Sequence, residues 1–317
     1  MRHAPSFRPS YPMTLRGTSI ASSLLMLLVA STALAAPPGF AFLEIPAGAR
    51  ASSMAGAYAS IAQGAEAALW NPAGLGAIRG FQVSANHAEL QANLHYDAIV
   101  LGGGLWGGGW GTSMRALYSE AIDARDDLGN LTGSFGAHDL EFALTYGHRV
   151  GGGVSLGGSA QLVRERLADL AAQTYAFNVG ASWEPSVIEG SRVSVSLHNL
   201  GPAAHYTIDG VPGQDVGLPQ SMQTGVSLAR TSGHGITLRG SLEGRFTEGR
   251  SGLGMVGAEL ATFGGAAVRG GWRINDASSN FTLGAGYATG GVRFDYAFIP
   301  LELDQGDSHR FSVDLQF

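Results

Sequence analysis

Along the last nine residues, "HRFSVDLQF", apolar and polar side chains alternate: Phe311, Val313, Leu315 and Phe317 share one face, and Arg310, Ser312, Asp314 and Gln316 the other. Period two is the spacing of a β-strand set between two different surroundings. The pattern recurs. In "GVRFDYAFI", Val292, Phe294, Tyr296 and Phe298 oppose Arg293 and Asp295, and in "ITLRGSLEGRF", Ile236, Leu238, Leu242 and Phe246 oppose Thr237, Arg239, Ser241, Glu243 and Arg245. "RVSVSLHNL" and "QTYAFNVGASW" repeat it, with Val193, Val195, Tyr175 and Phe177 on the apolar side. A dry core would not tolerate the charges of the polar face unpaired.

From Gly80 to the end, about fourteen such segments follow one another, near 80–89, 94–102, 109–120, 138–149, 153–165, 173–183, 192–199, 219–230, 235–246, 253–262, 265–273, 280–288, 291–299 and 308–317. The links alternate as well. Short Gly-rich ones ("GGG", "FGG", "TGG") follow the even-numbered segments, with "EPSVIEGS" as the exception, and longer polar ones tend to follow the odd. Trp110, Tyr118, Tyr146, Trp183, Trp272, Tyr287 and Phe317 stand near strand ends, like an interfacial girdle. A soluble sandwich or propeller also uses alternating strands, but it has no reason for this loop asymmetry. The pattern predicts an all-β fold: a transmembrane, outer-membrane β-barrel of about fourteen antiparallel strands. The apolar faces then meet lipid. Arg239, Glu243, Arg245, Arg293, Asp295, Arg310 and Asp314 become a luminal charge ladder.

Composition agrees with this picture, since 48 of 317 residues are Gly, 14% are charged and there is no Cys. "MTLRGTSIASSLLMLLVASTALAAPPG" has the layout of a secretory signal, which predicts cleavage after Ala35. Met13 opens a more conventional signal than Met1, so residues 1–12 read as an extension outside the fold. Removing 1–35 takes away Arg2, Arg8 and Arg16 and no acid, for a formal charge of about −9. That charge argues against nucleic acid as a partner. The chain has no Lys, so its Gly runs are not phosphate loops. Residues 80–317 are expected to form the barrel and 36–79 an amino-terminal luminal plug, with a short helix where Met54, Tyr58 and Ile61 fall at i, i+4 and i+7. "NPAG" predicts a turn over Asn71, Pro72, Ala73 and Gly74. Trp70 and Leu75 are expected to pack against small luminal residues such as Gly284 and Gly286.

"GARASSMAGAYASIAQGAEAALWNPAGLG" resembles the amino-terminal signature of the PorV/PorQ family of FadL-like outer-membrane barrels, and "HNLGP", "LPQSMQTGVSLA", "RGGWR" and the closing "FDYAFIPLELDQGDSHRFSVDLQF" extend the resemblance. It implies a fourteen-stranded barrel, the plug turn at Asn71, Pro72 and Ala73, and a role as a type IX secretion-like partner. The alternative is a FadL-like channel for small hydrophobic molecules; a structural barrel and a barrel lipid hydrolase rank below both. The strand Phe311, Val313, Leu315, Phe317 resembles the signal read by the outer-membrane assembly machinery. The implied partners are outer-membrane lipid, that machinery, and secretion proteins or hydrophobic solutes. The expected location is the outer membrane of a Gram-negative-type bacterium, with both chain ends periplasmic. His148 with Ser155, and His198 with Ser194 or Ser221, are the pairings a hydrolase would need, but Ser and His on a polar lumen face require no catalysis. No catalytic residue, metal or cofactor is assigned; His87 and His95 flank a turn without metal spacing.

Overall fold

The computed structural model describes residues 39–168, 170–208, 211–302 and 306–317. The expected signal segment and cleavage site lie outside them. Among the described residues, eighteen strands are present: β1 (Phe81–Glu89), β2 (Leu94–Leu105), β3 (Gly108–Ser119), β4 (Ile122–Arg125), β5 (Leu131–Phe135), β6 (Ala137–Gly151), β7 (Val154–Leu167), β8 (Leu170–Trp183), β9 (Ser191–Leu200), β10 (Ala204–Ile208), β11 (Val211–Val216), β12 (Ser221–Thr231), β13 (Thr237–Thr247), β14 (Leu253–Ala261), β15 (Ala266–Ile274), β16 (Phe281–Thr289), β17 (Val292–Pro300) and β18 (Asp307–Gln316). Fourteen of them pair antiparallel in the order β8-β7-β6-β3-β2-β1-β18-β17-β16-β15-β14-β13-β12-β9, and β9 returns to β8. The sheet is a closed barrel. The remaining four strands are two hairpins within links, β4–β5 standing alone and β10–β11 joined to β8 at Thr207 and Ala171. Alternation does not mark them, because neither hairpin stands between lipid and lumen; Ala204, Tyr206 and Val216 of β10–β11 instead pack on Phe40 and its neighbours.

Side chains divide across the wall as the period requires. Phe142, Leu162, Leu242, Phe294 and Phe311 are exposed on the outside, whereas Glu141, Gln161, Ser241, Glu243, Asp295 and Ser312 are buried inside. Five short links, such as Gly290–Gly291 with φ of 56° and 84°, and the seven-residue link 184–190 gather at one end, the turn end. Both hairpins lie at the other, the loop end.

Residues 39–79 run through the ring. Gly39 N donates to Gly217 O (3.1 Å) and Phe40 N to Glu165 Oε2 (2.7 Å) at the loop end, and the chain leaves at the turn end, where Phe81 pairs with Phe317. Between these points the segment bonds Arg115 on β3, Ala181 on β8, Glu243 on β13, Glu259 on β14, Thr282 on β16 and Ser312 on β18. Strands on all sides of a closed ring can be reached only from within it. Gly39, where the described residues begin, and Phe317 therefore lie at opposite ends of the barrel, and the segment crosses the lumen once before β1 begins; the expected location of the amino terminus falls outside the described residues.

The helix expected over Met54–Ile61 does not form. The α-helices here are α1 (Ala49–Ser53) and α2 (Ala67–Trp70), followed by a 3-10 turn, Pro72–Ala77. Ala55 and Gly56 have φ of 59° and 82°, which stops α1. Wall acceptors then take the freed amides: Ala55 N donates to Thr282 Oγ1 (3.0 Å), and Ala59 N and Ser60 N donate to Glu243 (3.1 and 2.8 Å).

Candidate functional site

The Asn71 turn rests on a floor of glycines. Asn71 Oδ1 accepts from Ala73 N (3.1 Å), an Asx turn that Pro72 stiffens, and Asn71 Nδ2 donates to Ala181 O on β8 (3.3 Å). A Cβ on Gly157 would come within 2.6 Å of Ala73 N, one on Gly180 would collide with Asn71 Oδ1, and one on Gly147 would stand 3.0 Å from Leu75 Cβ. Three successive strands, β6, β7 and β8, thus lack side chains where the turn lies. Leu75 sits over Gly111 and Gly147 rather than Gly284, which faces Ser53, or Gly286, which faces Asp295 and Arg269. Trp70 packs edge-on against Tyr58 and donates to Ala47 O (3.1 Å), inside the segment itself.

The charge ladder is an ion-pair network that clamps the segment. Arg293 on β17 reaches Glu66 (2.7 Å), Asp314 (2.8 Å) and Asp295 (2.9 Å). Arg50 reaches Glu259 (2.8 Å), which also holds Arg269 (2.6 Å) and Arg239. Glu243 accepts from Ser60 Oγ and Gln223 Nε2 (both 2.6 Å), whereas Arg245 and Arg310 meet carbonyls and amides instead of carboxylates. The sequence reading missed Arg50, Glu66, Arg115, Glu141, Glu259, Arg269 and Arg273. Strict parity along "MVGAELA" and "AAVRGGWRI" would have put Glu259, Arg269 and Arg273 in the lumen.

The wall has a weak seam between β8 and β9. β9 follows β8 from Trp183↔Val193 to Val179↔Leu197, then slips to Phe177↔Leu200. At the slip Asn199 has φ of 60°, a conformation Asn tolerates better than most residues. Side-chain amides replace the ladder there. Asn199 N donates to Asn178 Oδ1 (2.8 Å), Gln161 Nε2 to Asn199 Oδ1 (2.9 Å), and Asn199 Nδ2 to Pro219 O (2.9 Å). "HNLGP" and "LPQSM" meet at this point. Behind the seam lies an apolar chamber: Phe40, Phe42 and Leu43 of the segment fill a space walled by Tyr96, Ala98, Val163, Ala172, Ala176 and Leu218.

The weighed catalytic pairings are not assembled. His148 stacks on Tyr146 at the outer surface while Ser155 is buried on the inner face, and His198 Nε2 meets Ser196 Oγ (2.8 Å) rather than Ser194 or Ser221.

Comparison with known proteins places this geometry. An uncharacterised protein family, UPF0164, matches residues 30–173. No curated protein matches the chain. Among solved structures, the Ralstonia pickettii toluene transporter TbuX is similar at a TM-score of 0.57 with 12% identity, over 85% of this chain and 98% of that one. The two share a fold, the closed fourteen-stranded barrel. A Pseudomonas aeruginosa FadL homologue aligns at 0.55 and 11% identity, over 86% of this chain and 99% of its own. The Pseudomonas putida toluene transporter TodX aligns at 0.52 and 10%, over 78% and 91%. At these identities the likeness is one of fold.

Proposed function

We propose that this protein is an outer-membrane channel for small apolar molecules, plugged by residues 36–79 within the barrel of 80–317. The observation that carries this reading is the apolar chamber at the loop end. The lumen wall, which elsewhere mixes Ser, Asn, Gln, Arg and Glu with glycine and with apolar residues such as Val100 and Met255, turns apolar around Tyr96, Val163 and Ala176, beside the slip in the β8–β9 ladder. Water gains nothing from such a chamber, and an apolar solute does. Phe40 holds φ of 55°, a left-handed conformation rare for a large side chain, so the filler sits there under strain. With the loop end outward, a solute would displace Phe40 and Phe42 and leave toward lipid through the β8–β9 seam. The neighbours named as toluene transporters support the channel over the secretion partner that the PorV/PorQ resemblance implies.

Proteoliposomes carrying the folded barrel provide the test. Toluene entry should exceed that of empty vesicles and rise further with Phe40→Ala plus Phe42→Ala. Entry equal to that of empty vesicles for both proteins overturns the channel reading.

A further inference from the structure

A cavity of about 420 Å³ at the loop end is lined by four arginines, Arg245, Arg250, Arg273 and Arg310, and by two carboxylates, Glu44 and Asp276. Glu44 pairs with Arg250 (2.8 Å) and Asp276 with Arg273 Nη1 (2.9 Å). Two positive charges are left over. Among the described residues, neither Arg245 nor Arg310 hydrogen-bonds a carboxylate: Arg245 donates to Gln223 Oε1 (2.9 Å) and Arg310 to Ser52 Oγ (3.0 Å). Glu243, two residues from Arg245 on β13, has its oxygens taken by Ala59, Ser60 and Gln223. Arg273 is 8% exposed, and its Nη2 is buried without a partner.

Burying guanidinium groups without counter-charge is costly, and the arrangement is explained if an anion occupies the cavity. Arg245 comes from β13, Arg273 from β15 and Arg310 from β18, with Met255 of β14 set directly opposite Arg273. Donors that converge from three strands suit a tetrahedral anion with several oxygens better than one planar carboxylate. We propose that this cavity binds a phosphate-type oxyanion, held by Arg245, Arg273 and Arg310. Its source is a free phosphate or a lipid headgroup.

The site is coupled to the segment. Each of the three guanidinium groups also donates to a segment carbonyl: Arg245 to Glu44 O (3.4 Å), Arg273 to Ala55 O (3.1 Å) and Arg310 to Pro46 O (2.6 Å). An anion competes with those carbonyls, so its binding loosens residues 44–55. This inference stands on the charge arrangement and does not rest on the transport reading.

The test is calorimetric titration of inorganic phosphate into the folded barrel in phosphatidylcholine nanodiscs. Saturable binding is expected, weakened at least about tenfold by Arg245→Gln or Arg310→Gln, with acetate weaker than phosphate by a similar factor. In nanodiscs containing phosphatidic acid, loss of the phosphate signal assigns the site to a headgroup and its retention to a free phosphate. Arg→Lys at either position keeps the charge, removes the fork, and is read in the same way where the Gln variant fails to assemble. No saturable phosphate binding in the unsubstituted barrel, or equal binding in every variant, overturns the proposal, as does acetate binding as tightly as phosphate.

Discussion

Arg293 Nη2 and Glu66 Oε2 stand 2.7 Å apart, and the pair joins wall strand β17 to the segment that crosses the lumen. Glu66 also accepts from Tyr58 Oη (2.9 Å), so one carboxylate holds the wall and braces the segment. Arg293 keeps Asp295 and Asp314 if Glu66 is neutralised, so the wall loses little while the segment loses its anchor.

Glu66→Gln should therefore loosen the segment by roughly 1–3 kcal/mol, the range of a charged hydrogen bond in a partly buried site. Hydrogen exchange by mass spectrometry should show faster exchange over 59–70 with strand protection unchanged. Equal acceleration in β17 would mean that the pair holds the wall instead.

Phe294→Arg places a charge on the exposed outer face and should cost about 2–4 kcal/mol if the site lies near the bilayer midplane. Urea unfolding from lipid vesicles measures it. The opposite face is not simply tolerant. Alternation alone suggests that Arg at Ser312 would be mild, but Ser312 Oγ accepts from Ala49 N (2.6 Å) and bonds Asn86 Oδ1 (2.7 Å) under the segment. Ser312→Arg should leave the barrel assembled and abolish the exchange protection of 46–53.

This contrast shows what could be read in the sequence. Strand positions were legible because two solvents impose period two on every wall strand, from Phe311 against Ser312 to Leu242 against Glu243. The path of the segment was not, because partners far along the chain set its conformation: Ala59 N and Ser60 N bond Glu243, more than 180 positions away. Met54, Tyr58 and Ile61 fit a helical stripe by spacing, yet Gly56 and those distant acceptors decide otherwise. The charge ladder was half legible. Its wall members obey parity, but Arg50 and Glu66 sit among small residues with no periodic mark.

Phe317 closes the ring. Its N donates to Phe81 O (2.9 Å) and its O accepts from Phe81 N (3.3 Å), and the two rings lie 6.2 Å apart. Deleting Phe317 removes the last rung of the β1–β18 seam and the exposed terminal aromatic. The amount of heat-modifiable barrel in the outer membrane should fall, while molecules that do assemble keep the exchange protection of the segment.

The glycine floor gives a prediction with its own control, since Gly157 and Gly158 are neighbours on β7 facing opposite sides. A Cβ on Gly157 intrudes on Pro72 and Ala73, whereas one on Gly158 meets only Asn178 O at an ordinary 3.6 Å. Gly157→Ala should lift the Asn71 turn and strain its bonds to Ala73 N and Ala181 O. Losing those bonds costs roughly 1–3 kcal/mol of segment docking, because buried amide groups are left without partners. The closed ladder is untouched, so barrel abundance and heat modifiability should hold. An Ala73→Cys probe, at a position that is 1% exposed, should resist a bulky maleimide in the parent and in Gly158→Ala but react in Gly157→Ala. Ion leak through planar bilayers should rise in the same variant alone. Reaction of the probe in the parent would mean that the turn is not seated in the lumen in the membrane. Shielding that survives Gly157→Ala would mean that the floor does not position it.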